Sequence, residues 1–253
     1  MSELVAIILA AGKGTRMKSK LPKVLHKVGG QPMVAHVLTA AQEAGAEQKV
    51  VVVGFGSEEV EKFIGNKARI AVQKEQLGTG HAVAQTKAIL AGTVGTALIL
   101  CGDTPLLEGA ELKKFYEAHL KAGAAVSVLT AETGNPFGYG RILRDSKGQV
   151  TGIVEEKDAT AEQKQIQEIN TGIYCAQLPL LFELLATLTN NNAQGEYYLT
   201  DILTKCQEQG KLVCGIKTQD FDMVMGINSR KQMAVAEGIM RQRILDKLMD
   251  AGV

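Results

Sequence analysis

The sequence predicts an α/β fold: a mixed, mostly parallel sheet flanked by helices, with a smaller β-rich lobe. Three observations predict it. Short Val- and Ile-rich runs alternate with longer amphipathic segments as far as residue 130. Beyond that point the turn-rich string Asp145-Ser146-Lys147-Gly148 separates two β-like runs and signals antiparallel pairing. Finally, 253 residues that are 45% hydrophobic and 22% charged supply one substantial core and exclude a largely disordered chain.

The elements follow in chain order. Apolar runs at residues 4–10, 49–54, 69–73 and 96–101 read as strands. Between the first two, Pro32 suits a first helical turn, and Met33, Val37, Ala40 and Ala44 recur with helical period. Further helices fit residues 57–64, where Ser57 is a candidate cap and Glu58 and Glu59 favour the positive end, then 80–90 and 108–122. A strand at 124–130 precedes a hairpin of 139–143 with 150–156. Another strand at 170–175, helices at 178–186 and 197–209 (ending at Gly210) and a strand at 212–216 complete the pattern. The last helix, 228–249, carries Met233, Ala236, Met240, Ile244 and Leu248 on one face. The expected division is a domain of residues 1–227 and a C-terminal helix of 228–253.

Composition narrows the function. Lys and Arg total 28 against 27 Asp and Glu, so no global basic field holds nucleic acid or an anionic membrane, and an anionic ligand must be gripped locally. No apolar run approaches the roughly 20 residues that span a bilayer, and Met1-Ser2-Glu3-Leu4 lacks a basic leader, so a cytoplasmic location is expected. Cys101, Cys175, Cys206 and Cys214 stand far apart without a Cys-x-x-Cys pair, which reads as reduced thiols.

The strongest local signal is Leu9-Ala10-Ala11-Gly12-Lys13-Gly14-Thr15-Arg16-Met17, directly after the first strand, with Pro22-Lys23 shortly beyond. Two glycines let main-chain N–H groups approach an anion, and Arg16 and Lys23 add positive charge. A polyphosphate is the natural ligand. The spacing matches neither the Walker loop nor the three-glycine dinucleotide fingerprint, since Met17 stands where the last glycine belongs. A tight strand-to-helix turn with solvated bases is the plain alternative. Asp103 ends the run Ala97-Leu98-Ile99-Leu100, where α/β proteins place ligands beyond the strand ends. One carboxylate plus phosphate oxygens is a usual way to hold Mg²⁺, although a capping or turn aspartate before Pro105 fits equally. His26, His36, His81 and His119 are scattered and form no constellation for nucleophilic catalysis.

The glycine-lysine string, with Leu21-Pro22-Lys23, resembles the signature of the sugar-nucleotide pyrophosphorylases, nucleotidyltransferases on a Rossmann-like fold. Further strings sharpen the likeness: Gln73 with Glu75-Gln76-Leu77-Gly78-Thr79-Gly80-His81; Cys101-Gly102-Asp103; Gly138-Tyr139-Gly140-Arg141; Val154-Glu155-Glu156-Lys157; Glu168-Ile169-Asn170-Thr171-Gly172; and residues 190–201. In combination they resemble the branch of that family that acts on N-acetylglucosamine 1-phosphate, along the whole chain. The resemblance implies that UTP and N-acetylglucosamine 1-phosphate are joined by in-line attack on the α-phosphate, with pyrophosphate leaving, in the service of cell-wall and lipopolysaccharide precursors. It implies Mg²⁺ on Asp103 and Asn228, with Arg16, Lys23 and Asp103 as the catalytic set. Substrate contacts would come from Leu9, Ala10, Ala11, Gly12, Gly14, Lys23, Gln73, Gly78, Thr79, Cys101, Gly102, Asp103, Gly140, Glu155, Asn170 and Asn228.

Each position has a plainer reading. Asn228 could cap the last helix, Gln73 could be a solvated strand end, Glu155 could be an exposed strand-end charge, and Tyr197 and Tyr198 could serve packing. Cys101 departs from the family pattern, which often has Tyr there, so main-chain contacts are expected to survive at that position and a ring or hydroxyl contact is not. Similar full-length proteins continue into a trimeric β-helix of hexapeptide repeats that acetylates glucosamine 1-phosphate. No such repeat occurs in these 253 residues, so acetyl transfer and trimers are not expected of them. A related enzyme of other base or sugar, or a non-catalytic nucleotide-sugar-binding module, would carry many of the same residues.

Overall fold

The computed structural model describes residues 3–54 and 57–253. In chain order the elements are β1 (Glu3–Ala10), β2 (Lys27–Val28), β3 (Gln31–Pro32), α1 (Met33–Glu43), β4 (Gln48–Val53), α2 (Ser57–Ile64), β5 (Arg69–Val72), α3 (Thr79–Ala84), β6 (Gly95–Cys101), α4 (Gly109–Ala122), β7 (Val126–Glu132), β8 (Arg141–Arg144), β9 (Val150–Val154), β10 (Glu168–Leu178), α5 (Leu180–Leu185), α6 (Ile202–Glu208), β11 (Val213–Lys217) and α7 (Arg230–Asp250).

Seven strands lie in the order β11-β7-β10-β6-β1-β4-β5, and the β8–β9 hairpin joins the same sheet through β10. β1 runs parallel to both β4 and β6, and β11 parallel to β7, while β10 runs antiparallel to β6 and β7. The expected β-rich lobe is thus the hairpin with the far part of β10, continuous with the main sheet. Both faces are covered. Leu4, Ala6, Ile8 and Ala10 of β1 pack with Val34, Val37 and Leu38 of α1 and Leu112 and Phe115 of α4. Val5 and Ile7 face the opposite layer with Leu181 and Leu184 of α5 and Ile202 and Leu203 of α6. Burial on both sides explains why the strands read as near-continuous apolar runs, each fully buried Val, Ile or Leu contributing about 1.5–3 kcal/mol.

The chain leaves β1 for β4 and β5 on one side and then crosses to β6 on the other, so a topological switch point lies between β1 and β6. The loops after those strands meet there, the position at which open α/β sheets bind ligands. Among the described residues no helix is long and apolar enough to cross a membrane.

Several expected boundaries shift for identifiable reasons. Pro32 pairs with Lys27 in the short β2–β3 ribbon and stands just before α1 rather than in its first turn. Ser57 is the first helical residue of α2, and the position before it lies outside the described residues, as do Met1 and Ser2. α3 ends at Ala84, after which 3-10-type bonds take over and the Thr86 hydroxyl competes for the Val83 carbonyl at 2.7 Å. The helix expected over 197–209 begins with a 3-10 turn at Leu199–Asp201 and becomes α6 only at Ile202, because Tyr197 is tied into another segment's backbone. The apolar face expected along α7 is buried only in its first half: Ala236 is inaccessible and Met233 and Met240 pack beside it, whereas Ile244 and Leu248 are exposed.

Candidate active site

The loop after β1 is shaped by Gly14 and by Lys18, the one non-glycine residue at positive φ among those described. Gly14, at φ +59°, lies against Lys23 so closely that an added Cβ would stand 2.6 Å from the Lys23 Cβ. Glycine is therefore required twice over, for the left-handed backbone and for the lysine packed beside it. Between these two residues Thr15–Met17 forms a 3-10 turn, anchored by buried Met17 and by Arg230 Nε donating to the Met17 carbonyl at 3.1 Å.

Lys23 points into the site. Its Nζ donates to Asp103 Oδ2 in a short ion pair and to Asn228 Oδ1 at 3.0 Å. Three groups from distant parts of the chain thus meet around one cation. Asp103 arrives on the turn after β6, where Gly102 lies flat on the end of β1 with its N–H on the Leu9 carbonyl at 2.9 Å. Asn228 arrives just before α7, and its side chain is free to reach the site because the helix is capped by its neighbour. Ser229 Oγ accepts from Gln232 N at 3.2 Å, and Gln232 Oε1 accepts from Asn228 N at 2.9 Å, a reciprocal cap. The reading of Asn228 as the helix cap is thereby corrected: Ser229 is the cap.

A cavity of about 480 Å³ opens beside this cluster, bordered by Leu9, Ala10, Ala11, Gly12, Lys23, Gln73, Gly78, Thr79, Cys101 and Asp103. Gln73 stands at the exit of β5, 3% exposed, with its N–H on the Val53 carbonyl at 2.7 Å. It is not a solvated strand end. Its amide nitrogen lies 3.1 Å from the Gly78 carbonyl and 3.1 Å from His81 Nδ1. Gly78 and Gly80 serve a purpose that the sequence reading missed: an added Cβ would stand 2.7 Å from the Tyr197 oxygen at Gly78 and 2.9 Å from it at Gly80. They make room for the 196–197 segment, which is stitched on by Gly80 N to Tyr197 O and Tyr197 N to Leu77 O, both 2.8 Å.

The second half of the site lies across Cys101. The register of β10 on β7 shifts between Asn170 and Tyr174, and Gly172 within this irregularity, at φ +79°, would place a Cβ 2.9 Å from Cys101 Sγ. The irregularity sets Asn170 beside Gly140 and Glu155: Asn170 N donates to the Gly140 carbonyl at 2.8 Å, and a Cβ on Gly140 would stand 3.5 Å from Glu155 Oε1. Asn170 Oδ1 accepts from Gly172 N and from the Tyr174 hydroxyl, each at 2.9 Å. Burial, then the charges of Asp158 and Asp201, raises the Glu155 pKa above the usual carboxylate range. Asp158 in turn holds the 193–198 segment by accepting from Ala193 N at 2.9 Å and from the Tyr198 hydroxyl at 3.1 Å.

No nucleophile stands ready among the described groups. Burial, reinforced by Asp103, pushes the Cys101 thiol up to about 12, so it is neutral near pH 7. His119 is buried against Ser127 with its pKa lowered to about 4, and His36 is occupied by the Val28 carbonyl at 2.7 Å.

The structure therefore gathers Lys23, Asp103 and Asn228 in one cluster, Gln73, Gly78 and Thr79 on one flank, and Gly140, Glu155 and Asn170 on the other. Arg16 is not drawn in. It is exposed and makes no hydrogen bond or ion pair among the described residues. Sequence reasoning passed over Gln76 and Glu196, which border the cavity, and His81 and Arg230, which hold its walls. The pairing of Ser229 with Gln232 was a readable capping signal.

A glycine-built anion loop and a carboxylate at the switch point of a doubly covered sheet define a nucleotide-handling α/β enzyme. The family model for nucleotidyl transferases matches residues 5–223, and the chain belongs to that family. It is 53% identical over 253 residues to the bifunctional protein GlmU of Heliobacterium modesticaldum, covering 100% of this chain and 55% of that protein. The corresponding proteins of Pelotomaculum thermopropionicum and Enterococcus faecalis are 50% and 48% identical over 99% and 100% of this chain, and 55% of each of theirs. The chain thus spans about half the length of these curated relatives. A solved structure of UDP-glucose pyrophosphorylase complexed with UDP-glucose superposes with a TM-score of 0.74 at 20% identity, covering 96% of this chain and 100% of that one, which shows the shared fold.

Proposed function

We propose that this chain joins UTP to N-acetylglucosamine 1-phosphate, releasing pyrophosphate, with Mg²⁺ held by Asp103 and Asn228. The observation that carries the reading is the convergence of Lys23, Asp103 and Asn228 at the junction of two unlike flanks, one presenting an amide and main chain, the other a carboxylate and Asn170. Two oxygen acceptors already closed on an ammonium group suit a hard cation that takes one carboxylate and completes its shell with phosphate oxygens. Bound there, Mg²⁺ would supply charge neutralisation on the reacting phosphates.

The chain's own residues account for the rest. The Gly12–Gly14 main chain and Lys23 hold the triphosphate, and Arg16, exposed at the loop tip, closes on the departing pyrophosphate. The sugar phosphate is already an anion, so its attack on the α-phosphorus needs no general base, which fits a cavity whose thiol, Cys101, is neutral and whose border carries no histidine among the described residues. Glu155 and Asn170 orient sugar hydroxyls, Gly140 admits the N-acetyl group, and the 190–198 segment, pinned by Asp158, covers it. Catalysis is then positioning of two repelling anions plus stabilisation of growing charge. The division into a catalytic unit of residues 1–227 and a C-terminal helix, and a cytoplasmic setting that keeps the four free thiols reduced, belong to the same proposal. Varying the sugar phosphate in a coupled pyrophosphate-release assay tests it: glucose 1-phosphate turned over as well as N-acetylglucosamine 1-phosphate overturns the sugar assignment.

A further inference from the structure

Around Gln73 two amide groups compete for one imidazole. Gln73 Nε2 lies 3.1 Å from the Gly78 carbonyl, which can only accept, so the group there is the NH₂ end. The same nitrogen is 3.1 Å from His81 Nδ1. Its two hydrogens are then both committed, one to Gly78 and one to His81, and the amide oxygen is the polar end left for the cavity. On the other edge of the ring, His81 Nε2 lies 3.1 Å from Gln85 Nε2, which is 3.0 Å from the His81 carbonyl and is fixed as NH₂ by the same logic. A neutral imidazole carries one hydrogen and cannot accept from both amides.

One of them must turn. Gln73 is 3% exposed, and turning it sets its oxygen against the Gly78 oxygen in a buried space. Gln85 is half-buried just past the end of α3 and can turn towards water. The hydrogen therefore sits on Nε2, and Nδ1 accepts from Gln73. The ring lies beside that of Tyr197, tilted 36° to it at 6.4 Å between centroids.

We propose that His81 is a positioning residue for base selection: by accepting at Nδ1 it holds the Gln73 amide with its carbonyl oxygen towards the nucleobase. That oxygen matches a base with an imide N3–H, such as uracil, and faces a ring lone pair in cytosine. The inference rests on the proposed reading that the base of a pyrimidine nucleoside triphosphate lies against Gln73. His81 acts only through Gln73, so its signature is a change in the ratio of bases, not in the chemistry of phosphoryl transfer.

Two measurements test it. Long-range ¹⁵N–¹H correlation of the His81 ring in the unaltered protein is expected to show hydrogen on Nε2 and none on Nδ1. In competition between UTP and CTP with the sugar phosphate and Mg²⁺, His81→Leu is expected to lower the kcat/KM ratio about tenfold, the worth of one misplaced hydrogen bond. His81→Asn, whose side-chain oxygen can stand where Nδ1 stood, should restore most of the ratio, and Gln85→Ala should leave it unchanged. Hydrogen on Nδ1, or a folded His81→Leu with the original ratio, overturns the inference. Should His81→Leu not fold, the ring measurement and a His81→Asn variant that loses the ratio decide against it in the same way. Equal use of UTP and CTP by the unaltered chain overturns instead the reading of the pocket on which it stands.

Discussion

The Lys23 ammonium is the positive charge and the donor that Asp103 Oδ2 and Asn228 Oδ1 share. Lys23→Ala is therefore expected to lower kcat by a factor on the order of 10²–10³, the usual loss when one preorganised charge is removed. Single-turnover kinetics with both substrates saturating checks this, and turnover within threefold of the parent removes Lys23 from the catalytic set. The neighbouring pair Asn228 and Ser229 separates binding from folding. Ser229→Ala should cost about 1 kcal/mol of stability by losing the cap, with turnover retained, whereas Asn228→Ala should raise the Mg²⁺ concentration needed for half-maximal rate and leave the melt nearly unchanged. Titrations of Mg²⁺ beside urea melts distinguish the two. The glycine-lysine loop and Asp103 were legible because each motif is local. Asn228 was not resolvable from its own position, since the cap lies one residue further on at Ser229 and only the direction of the side chain, towards Lys23, separates the two. Taken alone, without the resemblance, Gln73 could be a solvated strand end, because its partners, Val53 and His81, come from other elements.

At the scale of elements, the join between Leu77–Gly80 and Tyr197 ties the Gln73 flank of the cavity to the 190–198 segment by main-chain bonds. A methyl at Gly80 would stand 2.6 Å from Leu188 Cδ1 and 2.9 Å from the Tyr197 oxygen. Leu188 can yield but the backbone cannot, so Gly80→Ala should destabilise the fold by about 1–3 kcal/mol, read as a lower urea midpoint at unchanged slope. A change below the error of the melt would mean that the 196–197 segment is not held as described. This join also explains why the helical period at 197–209 misled: Tyr197 is bonded to Leu77 and Gly80 and Tyr198 to Asp158, and α6 starts only after them. The irregularity in β10 was similarly hidden, since Gly172 reads as a strand glycine until Cys101 is placed against it. α7 shows the opposite limit, a full apolar stripe in sequence of which only the first half finds partners here.

For the whole molecule, alternation of buried strands and amphipathic helices made the sheet legible, because strands covered on both faces carry their burial in their own composition. The crossing of the chain from one side of β1 to the other is not written in any segment, yet it places the site. Global stability should also report the buried His119, whose pKa burial lowers to about 4. An unfolded chain binds a proton there near the ordinary value of about 6.5, so its contribution is full above that pH and is lost as pH falls towards 4, by at most ~3 kcal/mol. Unfolding free energies between pH 7 and 4 should fall less steeply in His119→Asn, and an unchanged slope would contradict the assignment. The central claim, that Lys23, Asp103 and Asn228 form the meeting point of a nucleoside triphosphate and a sugar phosphate, is tested most directly by pyrophosphate release from UTP, N-acetylglucosamine 1-phosphate and Mg²⁺. Pyrophosphate appearing in step with UDP-N-acetylglucosamine, and abolished by Asp103→Asn, is the predicted result; UDP-N-acetylglucosamine bound tightly with no pyrophosphate formed from the substrate pair would contradict it.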